Sequence, residues 1–218
     1  MFFELTDLLT CPRCGPASGL VLLVQELEGR RVHRGWLGCP NCRQDYPVEG
    51  GVANLRLDRD APPVARPPVE GEELALRIVA LSGMAEEKGY LLLDERLAHV
   101  APDVLELAPE LEVIVVREAA DDSAEQHGIS RVLSEVRFPL GGYQLRGVAI
   151  APGGDRELVA AAARLVGTGG RLVLIDASVG DLEEVERAGL SVIAAAADTA
   201  VAERISDPVT VVKLGKRA

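Results

Sequence analysis

Aromatic side chains are scarce: three Phe, three Tyr and one Trp make up 3% of 218 residues. So few rings cannot floor a groove on which successive nucleic-acid bases stack. Positive charge is also short, with 23 Lys+Arg against 34 Asp+Glu and a net charge of −11. The deficit is uneven. Residues 1–60 carry 7 basic and 8 acidic side chains, a balance of −1, whereas residues 61–218 carry 16 and 26, a balance of −10. An acidic surface of that size repels a phosphate backbone, so nucleic acid is not the expected partner. No run approaches the roughly 18–20 apolar residues of a membrane helix. The opening "MFFELTDLL" has acids where a secretory leader needs a basic stretch, so a cytoplasmic protein with no membrane contact is expected. The common catalytic loops are missing too: there is no GxxxxGK[ST], HExxH or GxSxG. His33, His99 and His127 have neither metal-ligand spacing nor a recognisable nucleophile nearby in sequence.

What is present is globular. Hydrophobic residues are 48% and charged residues 26% of a chain with room for one ordinary domain and a small module. The punctuation is densest in "DRDAPPVARPPVEG", where Pro62–Pro63 and Pro67–Pro68 remove backbone donors and favour an extended spacer. We therefore read a module over 1–57, a Pro-rich linker over 58–73 and a second domain over 74–218. In that domain "YLLL", "LEVIVV", "RGVAIAP" and "RLVLIDA" are buried-strand candidates alternating with helical segments, one of them interrupted at Pro102. Asp155 and Asp181 are expected as helix caps; Gly167, Gly169, Gly170 and Gly189 are expected to end the helices they follow. "SVIAAAA" and "VTVVKL" look like closing strands. Strands alternating with helices imply a mostly parallel sheet covered on both faces.

All four cysteines lie in two CxxC pairs, Cys11/Cys14 and Cys39/Cys42, separated by 24 residues. Each pair can put two thiolates on one tight turn, and a hairpin between them brings the turns together into a tetrahedral S₄ shell. A structural zinc site with no open position is the favoured reading. Redox chemistry at a CxxC and iron in the same four-sulfur shell are the alternatives. "RRVHRGW" clusters Arg30, Arg31, His33 and Arg34 beside Trp36, which is either an RNA contact or a solvated hairpin arm; charge runs usually prove to be the latter.

The stretches "ELTDLLTCPRCG" and "LGCPNCRQDYPVEGGVANL" resemble the zinc-ribbon family of small methyltransferase-activator subunits, over about residues 2–57. The resemblance implies Cys11, Cys14, Cys39 and Cys42 as ligands and Tyr46, Pro47, Val48 and Gly51 as the closing strand and turn. Ala53 and Asn54 stand where that family usually has proline and an apolar residue. It also implies a protein partner, which could be a methyltransferase or a second copy, met by sheet-edge pairing or through the apolar leads "FFELTDLL" and "GGVANL".

Residues 145–217 resemble the later half of a class I S-adenosylmethionine-dependent methyltransferase, which implies a Rossmann-like three-layer α/β domain beside the zinc-ribbon β module. That family grips its cofactor on a glycine-rich turn after the first strand. Here the turn reads "LLLDERLAHVA". Asp94 can stand for its acidic residue and Glu118 for the carboxylate on the ribose, but Glu95, Arg96, Leu97 and Ala98 fill the glycine places. "APGGD" at 151–155 occupies the substrate-side position. A bare backbone is what lets the chain approach a ligand, so the sequence argues against S-adenosylmethionine binding. The expected protein is a non-catalytic zinc-binding adaptor acting through protein contacts. The alternative is a divergent methyltransferase acting on RNA, protein or a small molecule.

Overall fold

The computed structural model describes residues 1–60, 62, 66–117 and 126–206. The preceding module supplies β1 (Val21–Glu28), β2 (Arg31–Gly38), β3 (Asp45–Glu49) and β4 (Val52–Asn54), and the second domain opens with helix α1 (Leu74–Ser82) and strand β5 (Gly89–Leu93). A 3₁₀ turn over Glu95–Val100 runs into helix α2 (Ala101–Leu107). Strands β6 (Leu111–Arg117), β7 (Ile129–Leu133) and β8 (Leu145–Ile150) follow. Helix α3 (Arg156–Leu165), β9 (Val166–Ile175), α4 (Val179–Arg187), β10 (Ser191–Ala196) and β11 (Thr199–Glu203) complete the described chain. Leu91, Leu92, Leu93, Val113 and Ile114 are wholly buried, as centre strands covered on both faces must be.

The strand order β7-β6-β5-β8-β9-β11-β10 is the third, second, first, fourth, fifth, seventh and sixth strand of this domain. The first five are mutually parallel, and β11 enters antiparallel between β9 and β10. This is a methyltransferase-like α/β sheet, with its order reversing between β5 and β8. Helices α1 and α2 cover one face, packing with Leu91, Leu93, Val113 and Val173. Helices α3 and α4 cover part of the other.

The remainder of that second face is closed by the N-terminal module, which carries the four cysteines. Among the described residues the connection from β7 to β8, residues 134–144, contains no helix. Leu5, Leu8 and Leu9 pack there with Ile114, Val116, Val132, Phe138 and Leu140 in one continuous core. Backbone bonds stitch the seam: Thr10 N–H to the Pro139 carbonyl (2.9 Å) and Gly141 N–H to the Leu8 carbonyl (2.8 Å). The module's strands β1 (Val21–Glu28), β2 (Arg31–Gly38), β3 (Asp45–Glu49) and β4 (Val52–Asn54) form an antiparallel meander. Its last strand then pairs in parallel with β7, Val52, Ala53 and Asn54 against Arg131, Val132 and Leu133. Among the described residues, eleven strands thus form a single sheet. Ala53 and Asn54 belong to that joining strand. The leads read as partner contacts are internal, with Leu5, Leu9, Ala53 and Leu55 buried in the chain itself.

Several local expectations change. Pro102 does not break its helix, because it falls in the first turn of α2, where no N–H partner is lost. The cap of α4 is Ser178, one turn before the expected Asp181, and the two form a reciprocal capping box. Gly167, Gly169 and Gly170 lie within β9, which begins directly at Val166. A Cβ at Gly167 would meet the Tyr143 carbonyl, and one at Gly170 the Leu145 carbonyl, each at 2.7 Å, so close strand approach is the role of these two, whereas Gly169 supplies a left-handed φ of 73°. The last described strand is "TAVAE", passed over in the sequence because it carries so little bulk; "VTVVKL" lies outside the described residues.

Trp36 is the only tryptophan and sits in β2. With metal bound, its fluorescence and far-ultraviolet circular dichroism should therefore report one coincident urea transition. Leu9→Ala should lower the stability of the whole chain by about 2–4 kcal/mol, the range of buried Leu truncations. Separate transitions would show that the two modules unfold independently.

Candidate metal centre and occupied strand ends

The two CxxC turns are built alike. Gly15 N–H bonds to the Cys11 carbonyl at 2.9 Å and Arg43 N–H to the Cys39 carbonyl at 2.8 Å. The residue after each second cysteine is left-handed, with φ of 89° at Gly15 and 59° at Arg43. All four Sγ atoms lie within 4.8 Å of one another, with Cys11–Cys42 at 3.7 Å and Cys14–Cys39 at 3.9 Å. Tetrahedral Zn–S bonds of about 2.3 Å put sulfurs about 3.8 Å apart, so the donor set and its spacing fit a metal ion.

The thiols alone are electrostatically mismatched. Burial would raise Cys11, but the Tyr46 hydroxyl at 3.4 Å and nearby N–H groups outweigh it and lower the thiol to about 7. Cys14 rises to about 12 through desolvation and the neighbouring sulfurs. Four thiolates so close need a cation between them. The Asn41 amide donates to Cys14 Sγ at 3.3 Å, and the buried Tyr46 hydroxyl donates to the Cys11 thiolate, so both spread the charge outward. The spacing of the cysteines was legible in sequence; these two donors carried no such signal beyond their proximity to the second pair.

The other candidate residues gather at the C-terminal ends of the parallel strands. Asp94 follows β5 and is only 4% exposed. One carboxylate oxygen accepts the Leu97 N–H at 3.1 Å and the other the Ala151 N–H at 3.0 Å, tying β5 to β8 across the point where strand order reverses. Burial pushes Asp94 up to about 7, against the pull of those two N–H bonds and of Arg96. Leu97 turns into the core under α1 and α2. Arg96 lies over the strand ends: it donates to the Ala151 carbonyl at 3.1 Å and the Pro67 carbonyl at 3.3 Å, with Asp176 at 3.7 Å. "APGGD" wraps that guanidinium. Gly153 has φ of 56°, and a Cβ there would come within 2.9 Å of Arg96 Nη1. Gly153 thus makes room for the guanidinium, whereas a side chain at Gly154 would meet nothing within 4 Å. Glu118 lies outside the described residues.

Beside this plug is a cleft of about 300 Å³, lined by Arg66, Asp94, Arg117, Ser134, Arg137 and Phe138, among others. Arg66 and Arg137 both reach Asp155, at 3.1 and 2.8 Å. Burial alone would raise Asp155; the Leu158 N–H and the two guanidinium groups hold it below its ordinary value. Arg66 comes from the Pro-rich segment, and nothing in the sequence marked it. Most of the basic run is paired with acids, Arg31 with Glu112 at 3.1 Å, Arg30 with Glu4 and His33 with Glu28 at 3.7 Å, and these three basic residues line one pocket with Lys88 and His127.

No known protein-family profile matches the chain, and no curated protein matches it. Solved structures do. The antibiotic-resistance methyltransferase Kmr is 13% identical, over 63% of this chain and 96% of its own, with a TM-score of 0.43. A TehB-like S-adenosylmethionine-dependent methyltransferase from Corynebacterium glutamicum is 16% identical over 60% and 86%, at 0.45. A chain from the complex of the Haloferax volcanii Trm112 methyltransferase activator with a candidate methyltransferase is 11% identical over 60% and 88%, at 0.47. These are coarse likenesses of fold. Among the described residues, no helix is long and apolar enough to cross a membrane.

Tyr46→Phe should leave the fold intact but speed metal loss to a chelator by roughly tenfold, the usual scale for an outer-shell donor; an unchanged rate would remove Tyr46 from the site. Asp94 makes the opposite kind of prediction, about pH. Its folded value of about 7 exceeds its ordinary 3.8, so its contribution is full below the lower value and is lost as pH rises through the higher. Asp94→Asn, which turns an amide N–H toward a backbone N–H, should be costly near pH 5, and the cost should shrink by about pH 8. Urea unfolding at the two pH values measures it, and an equal cost at both would refute the shift.

Proposed function

We propose that this chain is a non-catalytic, zinc-binding adaptor or regulatory protein: an activator-type zinc ribbon fused to a methyltransferase-like domain that does not take S-adenosylmethionine. The observation that carries this reading is the occupied strand end. In a domain of this type the cofactor's amino-acid tail needs bare backbone after the first strand. Here that ground holds a carboxylate with both oxygens engaged, a buried leucine and an arginine bonded to two carbonyls. Opening it would break those bonds and expose Leu97.

The ribbon supports the same reading. In cis its last strand and its apolar lead close an edge and a face of the methyltransferase-like sheet. Those surfaces are spent, so a partner protein would meet some other part of the molecule. Zinc is the metal that best suits a closed four-thiolate shell, where it holds the small module together and leaves no position for substrate. The 1–57, 58–73 and 74–218 divisions would then mark lineage and chain punctuation, with folding shared across them.

A second reading, a divergent S-adenosylmethionine-dependent methyltransferase, is favoured by one feature, the cleft of about 300 Å³ beside Asp94. That volume is at the lower limit for a small-molecule site. Calorimetry separates the two. Purified protein should contain one zinc per chain by elemental analysis and give no saturable heat with S-adenosylmethionine. A micromolar isotherm would establish the enzyme reading, and iron in place of zinc would correct the metal.

A further inference from the structure

Where the ribbon meets the N-terminal ends of the parallel strands, it leaves a cavity of about 850 Å³, against about 300 Å³ for the cleft beside Asp94. That volume lies within the roughly 300–1,000 Å³ of small-molecule sites. Both modules build it. Tyr90 at the start of β5 and Glu112 in β6 are register neighbours in a parallel pair, on the face that also carries Leu92 and Ile114. The ribbon supplies Phe2, whose N–H donates to Ser130 Oγ at 2.8 Å. Its ring meets Tyr90 edge-on, with centroids 6.0 Å apart. Arg30, Arg31 and His33 reach the cavity from the β1–β2 hairpin, and His127 from just before β7.

The polar groups around the cavity differ in what remains free. The cations are committed. Arg31 donates to Glu112 at 3.1 Å and to the carbonyls of Gln126 and Ile129. At the exposed mouth Arg30 pairs with Glu4, and Lys88 with Glu110 at 2.8 Å. His33 lies 3.7 Å from Glu28. Two inner groups are open instead. Glu112, with its side chain 17% exposed, uses Oε2 on Arg31. Its Oε1 and the Tyr90 hydroxyl make no hydrogen bond to a described residue, and neither is sealed from solvent. Burial pushes the Glu112 carboxyl up, against the pull of Arg31 and His127. Burial and then the Glu112 carboxylate push the Tyr90 hydroxyl up to about 12, more than Arg30 pulls it down.

We propose that this cavity binds a small organic cation, an ammonium or guanidinium group on an apolar, ring-sized body. The charged group bonds to Glu112 Oε1 and the Tyr90 hydroxyl, and the body lies against the Phe2 and Tyr90 rings. Charge sets the sign of the ligand. With the imidazoles uncharged, Glu4, Glu28, Glu110 and Glu112 outnumber Arg30, Arg31 and Lys88, in a chain that carries −11 overall. Helix α2 ends at Leu107, just before Glu110, so its negative pole lies on the same side of the sheet. An added cation is attracted there and an added anion is not. The Phe2 ring already takes one cation on its face, with Arg30 Cζ 4.9 Å from the ring centroid. Because the walls come from both modules, a bound ligand would also hold the ribbon against the sheet.

The test is calorimetry of the zinc-loaded full chain near pH 8, where an ordinary imidazole is neutral and an alkylammonium is charged. The probes are 2-phenylethylammonium and 3-phenylpropionate, which carry opposite charges at similar reach from the same ring. The ammonium should give a saturable isotherm below about 10 mM, and the carboxylate none. Glu112→Gln keeps an oxygen for Arg31 and should weaken the ammonium by at least about tenfold. Tyr90→Leu, which removes the hydroxyl and a ring wall, should weaken it by at least about tenfold as well. Circular dichroism shows whether each variant is folded, and Tyr90→Leu carries the test if the altered Arg31 partner prevents folding. No saturation with the ammonium overturns the proposal. So does equal or tighter binding of the carboxylate, or ammonium binding that the folded variants leave unchanged. Both variants lie at the opposite end of the parallel strands from Asp94, so the result is independent of whether S-adenosylmethionine binds there.

Discussion

The parallel pairing of β4 with β7 is the contact on which the rest of the architecture depends. It is only three residues long, Val52–Asn54 against Arg131–Leu133, yet it fixes where the ribbon lies. Once that edge is joined, the lead over residues 1–11 falls across the sheet face that the helix-free β7–β8 connection leaves open. A doubly wound sheet cannot leave that face to water, because apolar side chains on both sides are what make its strands. The ribbon takes the place of a missing crossover helix. It is thus a structural layer of the α/β domain. The four thiols meet at one point of this small hairpin unit, and the unit's leucine-rich lead covers Ile114, Val116 and Val132.

At the opposite end of the strands the same economy of contacts removes the usual vacancy. Open parallel sheets bind ligands where strand order reverses, because loops diverge there and leave a crevice. Between β5 and β8 of this chain the crevice is bridged by one carboxylate and roofed by one guanidinium. The arrangement is internally consistent: Arg96 needs the space that Gly153 lacks a side chain to fill, and Asp94 needs the two N–H groups that compensate its burial. Each residue would be poorly placed without the others. The site therefore reads as an alternative solution for that end of the sheet, with the small cleft toward Ser134 and Arg137 as what remains open.

Comparison of the sequence with the fold is most instructive where they differ. The two cysteine pairs, the buried leucine and valine strands and the cap at Asp155 were legible because each is a local pattern with a physical cause within a few residues. Asp94 was legible as a special residue, but its two partners were not, since Ala151 is 57 residues away and offers only backbone. β11 was missed because "TAVAE" has small side chains and becomes a strand by being wedged between β9 and β10. The basic run at 30–34 is only partly a patch in three dimensions, Arg30, Arg31 and His33 sharing one pocket in which acids pair with them. The fold sends Arg31 inward to Glu112 and leaves Arg34 outside.

The sequence by itself determined the two CxxC turns, the alternation of strands and helices in the second domain, and the absence of glycine after β5. Ligand spacing, hydrophobic period and side-chain bulk are set by neighbours along the chain. Only the tertiary structure decided that the ribbon docks in cis, that its apolar lead is core and that Arg96 closes the strand ends. Those outcomes depend on which surfaces remain bare once the sheet has formed. That is a property of residues far apart in sequence, and no local pattern encodes it.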